Sequence, residues 1–174
     1  DVPLPATGVI SVLGPGTGLG VAWLYRDGGS FTHVQATEGG HLDFAPLDSV
    51  EDAILARLRK SHSRVSIERV VSGPAIVDIY HALAGLEGRA VHELTDVVIW
   101  TAALEGTDSL AVAAMDRFCL SLGAVAGDIA LAQGGSGVVI AGGLGYRLRH
   151  LLLQSGFAAR FCAKGRFAGL MAQI

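Results

Sequence analysis

Val9-Ile10-Ser11-Val12-Leu13-Gly14-Pro15-Gly16-Thr17-Gly18-Leu19-Gly20-Val21 decides how the rest of this chain is read. A strand-like apolar run enters four glycines, and a second strand-like run, Val21-Ala22-Trp23-Leu24-Tyr25, leaves them with no helical pattern between. Glycine serves two purposes in such a hairpin. It accepts positive φ in a tight turn, and it lets backbone N–H groups close around an anion. The two familiar phosphate loops do not fit. A dinucleotide fingerprint counted from Gly14 would need glycine where Leu19 stands, and a P-loop needs a Gly-Lys-Ser/Thr element that the stretch lacks. Both also require a helix directly after the loop, its N-terminus facing the phosphate, whereas residues 21–25 read as a strand. Taken alone, the stretch is either a phosphate-cradling hairpin or a plain turn built from glycine.

Outward from the hairpin, Asp27-Gly28-Gly29 is a strong turn signal, so residues 31–36 supply a third strand and the three form an antiparallel meander. An irregular polar loop, residues 37–46, follows. Val50, Ile54, Leu55 and Leu58 recur at helical spacing and predict a helix over residues 49–60. Its acids, Glu51 and Asp52, stand first and its bases, Arg57, Arg59 and Lys60, last, as the macrodipole favours. Residues 66–71 read as one short helical turn. Ser72-Gly73-Pro74 then opens a helix with Ser72 as its cap, a buried stripe of Ile76, Ile79, Tyr80 and Leu83, and a stop at Gly85.

Further helices are expected over residues 95–104 and 109–133. Gly123, Ala124, Ala126 and Gly127 lie in the middle of the longer one, where glycine costs about 1 kcal/mol relative to alanine. Something must therefore approach closely there. A short strand over residues 138–141 runs into Gly142-Gly143-Leu144-Gly145 and then a helix over 146–154, a second place where backbone can meet a ligand. The last twenty residues read as loop and short helix, and no internal repeat is present.

Composition narrows the class. An apolar share of 51% and a mean hydropathy of +0.47 are high for a soluble domain, and 17% charged residues is low, so the chain is expected to hide surface against another body. The net charge of −3, without a basic cluster, argues against nucleic acid as a partner. No apolar run approaches the roughly 18 residues that span a bilayer, and Asp1-Val2-Pro3-Leu4-Pro5 is no signal peptide; neither a membrane nor an export route is expected, and the cytoplasm is. Cys119 and Cys162 are too few and too far apart for a disulfide framework or a zinc knuckle. A start without Met and an apolar stop on Met171-Ala172-Gln173-Ile174 read as a fragment.

Chemistry concentrates in Glu38-Gly39-Gly40-His41. Two glycines let the backbone fold sharply between an acid and an imidazole, so both side chains can face one small polar ligand. A carboxylate accepting from adjacent hydroxyls beside an imidazole suits a sugar, with charge-assisted hydrogen bonds worth about 1.5–3 kcal/mol each. A structural zinc is rejected, since it wants thiolates at short spacing. The remaining histidines, at 33, 62, 81, 92 and 150, are isolated.

Four motifs in order carry a resemblance: Leu13-Gly14-Pro15-Gly16-Thr17-Gly18-Leu19-Gly20, Glu38 to Pro46, Glu68-Arg69-Val70-Val71-Ser72-Gly73-Pro74, and Ala141-Gly142-Gly143-Leu144. Together, over almost the whole chain, they resemble the bacterial ATP-dependent glucokinases. The resemblance implies an α/β fold of the actin-like ATPase, ribonuclease H-like type, its mixed sheet beginning with an antiparallel meander and flanked by helices. It implies that residues 1–174 are most of the larger C-terminal domain, with an N-terminal domain and a final segment lying outside the chain. Glu38, His41 and Glu68 match positions that bind glucose hydroxyls; Gly16, Thr17 and Gly18 match the second phosphate motif; Gly142, Gly143 and Leu144 match the adenosine motif. On its own Glu68 would read as a solvated charge, and Asp43 reads as a loop-shaping residue. ROK-type sugar kinases follow a similar Glu-x-Gly-His element with a cysteine-rich zinc motif, which is absent here.

What the resemblance implies is phosphorylation of glucose by ATP with Mg2+, at the entry to glycolysis, by a cytoplasmic homodimer. The family's first phosphate motif, Asp-x-Gly-Gly-Thr, and the catalytic aspartate of an Asn-Asp pair are not found in this sequence. No catalytic residue is therefore assigned within the chain, and residues 1–174 alone are expected to be inactive. A binding module for sugar or nucleotide without catalysis, or a kinase for a related hexose, is the alternative.

Overall fold

The computed structural model describes residues 3–174. The opening stretch folds as β1 (Gly8–Pro15) and β2 (Leu19–Asp27), followed by β3 (Ser30–Thr37). β1 and β2 pair antiparallel with Gly14 opposite Gly20 and Pro15 opposite Leu19, leaving Gly16, Thr17 and Gly18 as the tip. β4 (Gly135–Ile140) lies parallel to β1, giving a mixed sheet in the order β3-β2-β1-β4. A parallel neighbour needs a long crossover, and residues 38–134 provide it with four helices: α1 (Ser49–Leu58), α2 (Ala75–Leu86), α3 (Asp96–Glu105) and α4 (Ser109–Gln133). After β4 come α5 (Gly142–Gln154), α6 (Phe157–Cys162) and α7 (Ala168–Met171).

Several expectations shift in detail. Ser72 does not cap α2; Pro74 occupies the cap position with no side-chain hydrogen bond, and the buried Ser72 contributes its carbonyl, which accepts from the Ala75 N–H at 3.2 Å. α2 runs one residue past Gly85, to the exposed Leu86. β4 begins at Gly135 rather than Val138, recruited by pairing with β1. α5 begins at Gly142 rather than Tyr146, so the Gly-Gly pair forms its first turn. By length and composition α4 qualifies as a membrane-crossing helix, contrary to the expectation that no segment would, but 72% of its most apolar window is buried inside the fold.

The core forms where α4 lies against the sheet and against α2, α3 and α6. Leu13 of β1 sits opposite Val21 of β2, both facing inward, while Phe118, Leu122, Val125 and Ile129 of α4 fill the other side. α4 starts at Asp108, whose carboxylate accepts from the Leu110 and Ala111 N–H groups. Burial pushes that carboxyl up, but the Tyr80 hydroxyl, the two backbone N–H groups and the Arg89 charge outweigh it and hold it below the usual range. The mid-helix glycines have the expected cause. A Cβ on Gly123 would strike the Phe157 carbonyl oxygen, and one on Gly127 the Phe161 carbonyl oxygen, because α6 lies directly on the α4 backbone. Lys164 completes the contact, donating to the Ala124 carbonyl at 2.8 Å and pairing with Asp128 at 2.7 Å.

A charge network without a local sequence signal locks α1, α4 and α6 together. Glu51 is only 1% exposed; it accepts from the Leu47 N–H at 2.7 Å and the Ser121 hydroxyl at 3.3 Å. Asp48 caps α1 through Oδ1, while its Oδ2 pairs with Arg117 at 2.6 Å and with Arg160. Both guanidinium groups also lie 3.7 Å from Glu51. A buried carboxylate is tolerated only when paired in this way.

Candidate functional site

Three glycine-bearing segments meet at the carboxyl ends of β1 and β4. The Gly16 N–H donates to the Gly18 carbonyl at 2.8 Å, tightening the hairpin tip, and the Gly16 carbonyl accepts from the Gly73 N–H at 2.6 Å. The Ala141 N–H donates to the Leu13 carbonyl at 2.7 Å, which lays the start of α5 beside the hairpin. Gly142 has φ +78, and a Cβ there would stand 3.2 Å from the Pro15 carbonyl oxygen. The left-handed backbone favours glycine there, and the approach is tight besides.

The cleft that results has a volume of about 330 Å³. Gly16, Thr17, Gly73 and Gly143 present backbone to it, Trp100 and Leu144 supply apolar walls, and Asp96 and Arg147 supply one acid and one base. The N-terminus of α5 opens onto it through Gly143, and such a terminus favours anionic groups. Of the expected nucleotide residues, Gly16, Thr17, Gly143 and Leu144 line this cleft; Gly18 and Gly142 do not, and instead pack against Glu68 and Pro15. Asp96, Trp100 and Arg147 escaped sequence reasoning, because each sits on a helix whose pattern reads only as amphipathic surface or core.

The expected sugar residues occupy the adjoining corner. Gly39–His41 forms a 3-10 turn, and Gly40 packs so closely on the Leu19 carbonyl that no side chain fits. The loop is tied to the segment carrying Glu68: the Ile67 N–H donates to the Leu42 carbonyl at 2.8 Å and the Phe44 N–H to the Val65 carbonyl at 3.0 Å. Glu68 rides the 3-10 turn Ile67–Arg69, and its Oε2 accepts from the Leu19 N–H at 2.9 Å. Thr17 and Glu68 share a second, smaller hollow of about 140 Å³ with Arg69, Ser72 and Asp78; neither Glu38 nor His41 lines it. Glu38 and His41 are open to solvent, 92% and 58% exposed, with Oε2 and Nε2 3.9 Å apart. Asp43 is held by Arg64 at 2.6 Å, and Arg64 also donates to the His41 carbonyl at 2.7 Å, in keeping with a loop-shaping role.

Among the described residues no group of three or more His, Cys, Asp or Glu side chains is gathered for a metal ion. The polar groups that line the cleft are a hairpin tip, a helix start, Arg147 and Asp96.

A meander extended by a parallel strand across a helical crossover, with a cleft at the strand ends and the Glu38–His41 loop beside it, is the arrangement of an actin-like ATPase domain. The comparisons narrow this class. The family model described as Glucokinase matches residues 3–174, and the chain belongs to that family. It is 59% identical over 174 residues to a glucokinase of Zymomonas mobilis, covering all of this chain and 53% of that protein. A glucokinase of Caulobacter vibrioides is 47% identical over 178 residues, with 100% and 53% covered. Among solved structures, glucokinase from an Antarctic psychrotroph superposes with a TM-score of 0.88 at 37% identity, over 100% of this chain and 54% of that one. A ROK family glucokinase from Streptomyces griseus, solved with glucose and AMPPNP, shares the fold at a TM-score of 0.57 and 20% identity, over 90% and 52%. The chain spans about half the length of the curated relatives it matches.

Proposed function

We propose that the full-length protein transfers the γ-phosphoryl group of Mg-ATP to the 6-hydroxyl of glucose, giving glucose 6-phosphate at the entry to glycolysis. The observation that carries this reading is the junction at Leu19. Its N–H meets Glu68 and its carbonyl meets Gly40 of the Glu38–His41 loop, so a hydroxyl-reading corner and a phosphate-sized hairpin share one residue.

In this assignment Glu38, His41 and Glu68 bind sugar hydroxyls, the carboxylates accepting and the imidazole donating or accepting. Gly16, Thr17 and Gly18 hold phosphate oxygens, and Gly142, Gly143 and Leu144 border the adenosine. Mg2+ enters with ATP as part of the substrate, held mainly by phosphate oxygens and water. The general base that takes the proton from the 6-hydroxyl comes from an aspartate outside residues 1–174, which form most of the larger C-terminal domain. A missing general base typically costs about 10²–10⁴ in rate, and a missing half of the clamp costs positioning besides. Residues 1–174 alone therefore turn over negligibly. In the whole protein a second domain closes over Glu38 and His41, whose exposure suits a site completed from the other side, and excludes water that would otherwise accept the phosphoryl group. A cytoplasmic homodimer, needing neither membrane nor nucleic acid, is the form we assign.

The test is formation of glucose 6-phosphate by the full-length protein with Mg-ATP. Loss of that activity in Glu38→Ala and His41→Ala supports the reading. Saturable glucose binding without turnover would replace it with a sensing module, and faster turnover of another hexose would change the substrate.

A further inference from the structure

The hairpin tip and the sugar corner depend on one carboxylate. Glu68 Oε2 accepts the Leu19 N–H at 2.9 Å, and a Cβ built on Gly18 would stand 2.5 Å from that same oxygen and 3.1 Å from the carboxyl carbon. Gly18 is not among the glycines with positive φ, so no left-handed backbone demands glycine there. The nearest atoms a side chain there would meet are those of Glu68, so a larger residue would be accommodated by displacing that carboxylate. Gly16 differs: a Cβ there would meet nothing within 4 Å. On the far side of Leu19, the carbonyl leaves Gly40 no room for a side chain, so the turn that ends in His41 is seated on the same residue.

Resting on the glucokinase reading, we infer that Gly18 is a positioning residue for the sugar. By leaving space against the hairpin it lets Glu68 turn Oε2 to Leu19 and keep its other oxygen for a sugar hydroxyl. A position in the phosphate turn thus governs sugar affinity, although it touches no sugar. The coupling is reciprocal by thermodynamic linkage: a hydroxyl bound at Glu68 steadies the hairpin, and a phosphate held by the hairpin steadies Glu68.

The test uses the full-length protein, with glucose titrated calorimetrically in the absence of nucleotide. Gly18→Ala is expected to raise the glucose Kd at least about tenfold, as is Glu68→Ala, and the double variant is expected to be no weaker than Glu68→Ala, since both substitutions remove one contact. A Gly18→Ala glucose Kd within about twofold of the parent, or losses that multiply in the double variant, would overturn the inference. Hydrogen exchange on the parent protein gives a readout that does not depend on either variant folding. Glucose alone should slow exchange of the Leu19 amide, and an unchanged rate in glucose-saturated protein would equally overturn it. Failure of the parent to bind glucose at all would instead remove the glucokinase reading on which the inference stands.

Discussion

The indole N–H of Trp100 donates a 2.8 Å hydrogen bond to the carbonyl oxygen of Gly73. Trp100 is buried, meets Phe118 edge to face with ring centroids 5.2 Å apart, and also lines the cleft. Helix α3, braced through Trp100 on Phe118 of α4, therefore sets the position of the backbone around Gly73, which in turn holds Gly16. Trp100→Phe keeps the aromatic packing and removes the donor. It should cost about 1–3 kcal/mol of stability and raise the ATP KM more than the glucose KM, measured by urea unfolding and steady-state kinetics of the full-length protein.

In the proposed site, Glu38→Ala and His41→Ala would each remove one charged or polar partner of the sugar. Each should raise the glucose KM by about tenfold to a hundredfold, the equivalent of 1.5–3 kcal/mol, with thermal stability nearly unchanged because both side chains are exposed. Asp43→Asn loosens only an exposed pair with Arg64, worth at most about 1 kcal/mol. A glucose KM raised as far by Asp43→Asn as by His41→Ala would argue that Asp43 is a ligand.

Gly127→Ala opposes two effects of known sign. Helix propensity favours alanine by about 1 kcal/mol, but the added methyl would run into the Phe161 carbonyl and stand 2.6 Å from the Lys164 side chain. Backbone cannot yield as a side-chain tip can, and overpacking costs about 1–3 kcal/mol. The variant should be less stable than the parent in urea unfolding. A gain in stability would show that α6 shifts away freely.

Asp48 predicts a pH dependence. Burial pushes its carboxyl up, but the Glu51 N–H, the hydrogen bond from Arg117 and the charges of Arg117 and Arg160 outweigh burial and hold it below the ordinary carboxylate range. A depressed pKa in the folded state contributes stability above the unfolded pKa of about 3.9 and loses it as pH falls through the folded value. Asp48→Asn should therefore be less stable than the parent at neutral pH, with the gap in unfolding midpoint closing below about pH 4. A gap that stays constant with pH would mean that the charge of Asp48 contributes nothing, since asparagine caps as well as aspartate.

Cys119 should be inert. Burial first of all, with the Asp116 charge adding to it and a Ser155 hydrogen bond opposing it, pushes the thiol up to about 12, so almost no thiolate exists at neutral pH. Thiol labelling of the folded protein should modify Cys162 before Cys119, and equal rates would indicate that the core opens at α4.

Local order along the chain determined much of this molecule. The hairpin of β1 and β2 follows from an apolar run broken by glycines, α4 from its apolar spacing, and the pairing of Glu38 with His41 from two glycines between them. The mid-helix glycines even announced that something would press on α4, without saying that it was α6. What only the tertiary structure decided depends on residues far apart in sequence. Glu68 reaches Leu19 across 49 residues, and Arg160 reaches Asp48 across 112; neither pairing has a local pattern, because a charged side chain on a helix looks the same whether it meets solvent or a distant partner. Asp96 and Arg147 became walls of one cleft for the same reason. Periodicity reports which face of an element is buried, and only packing decides what lies against it.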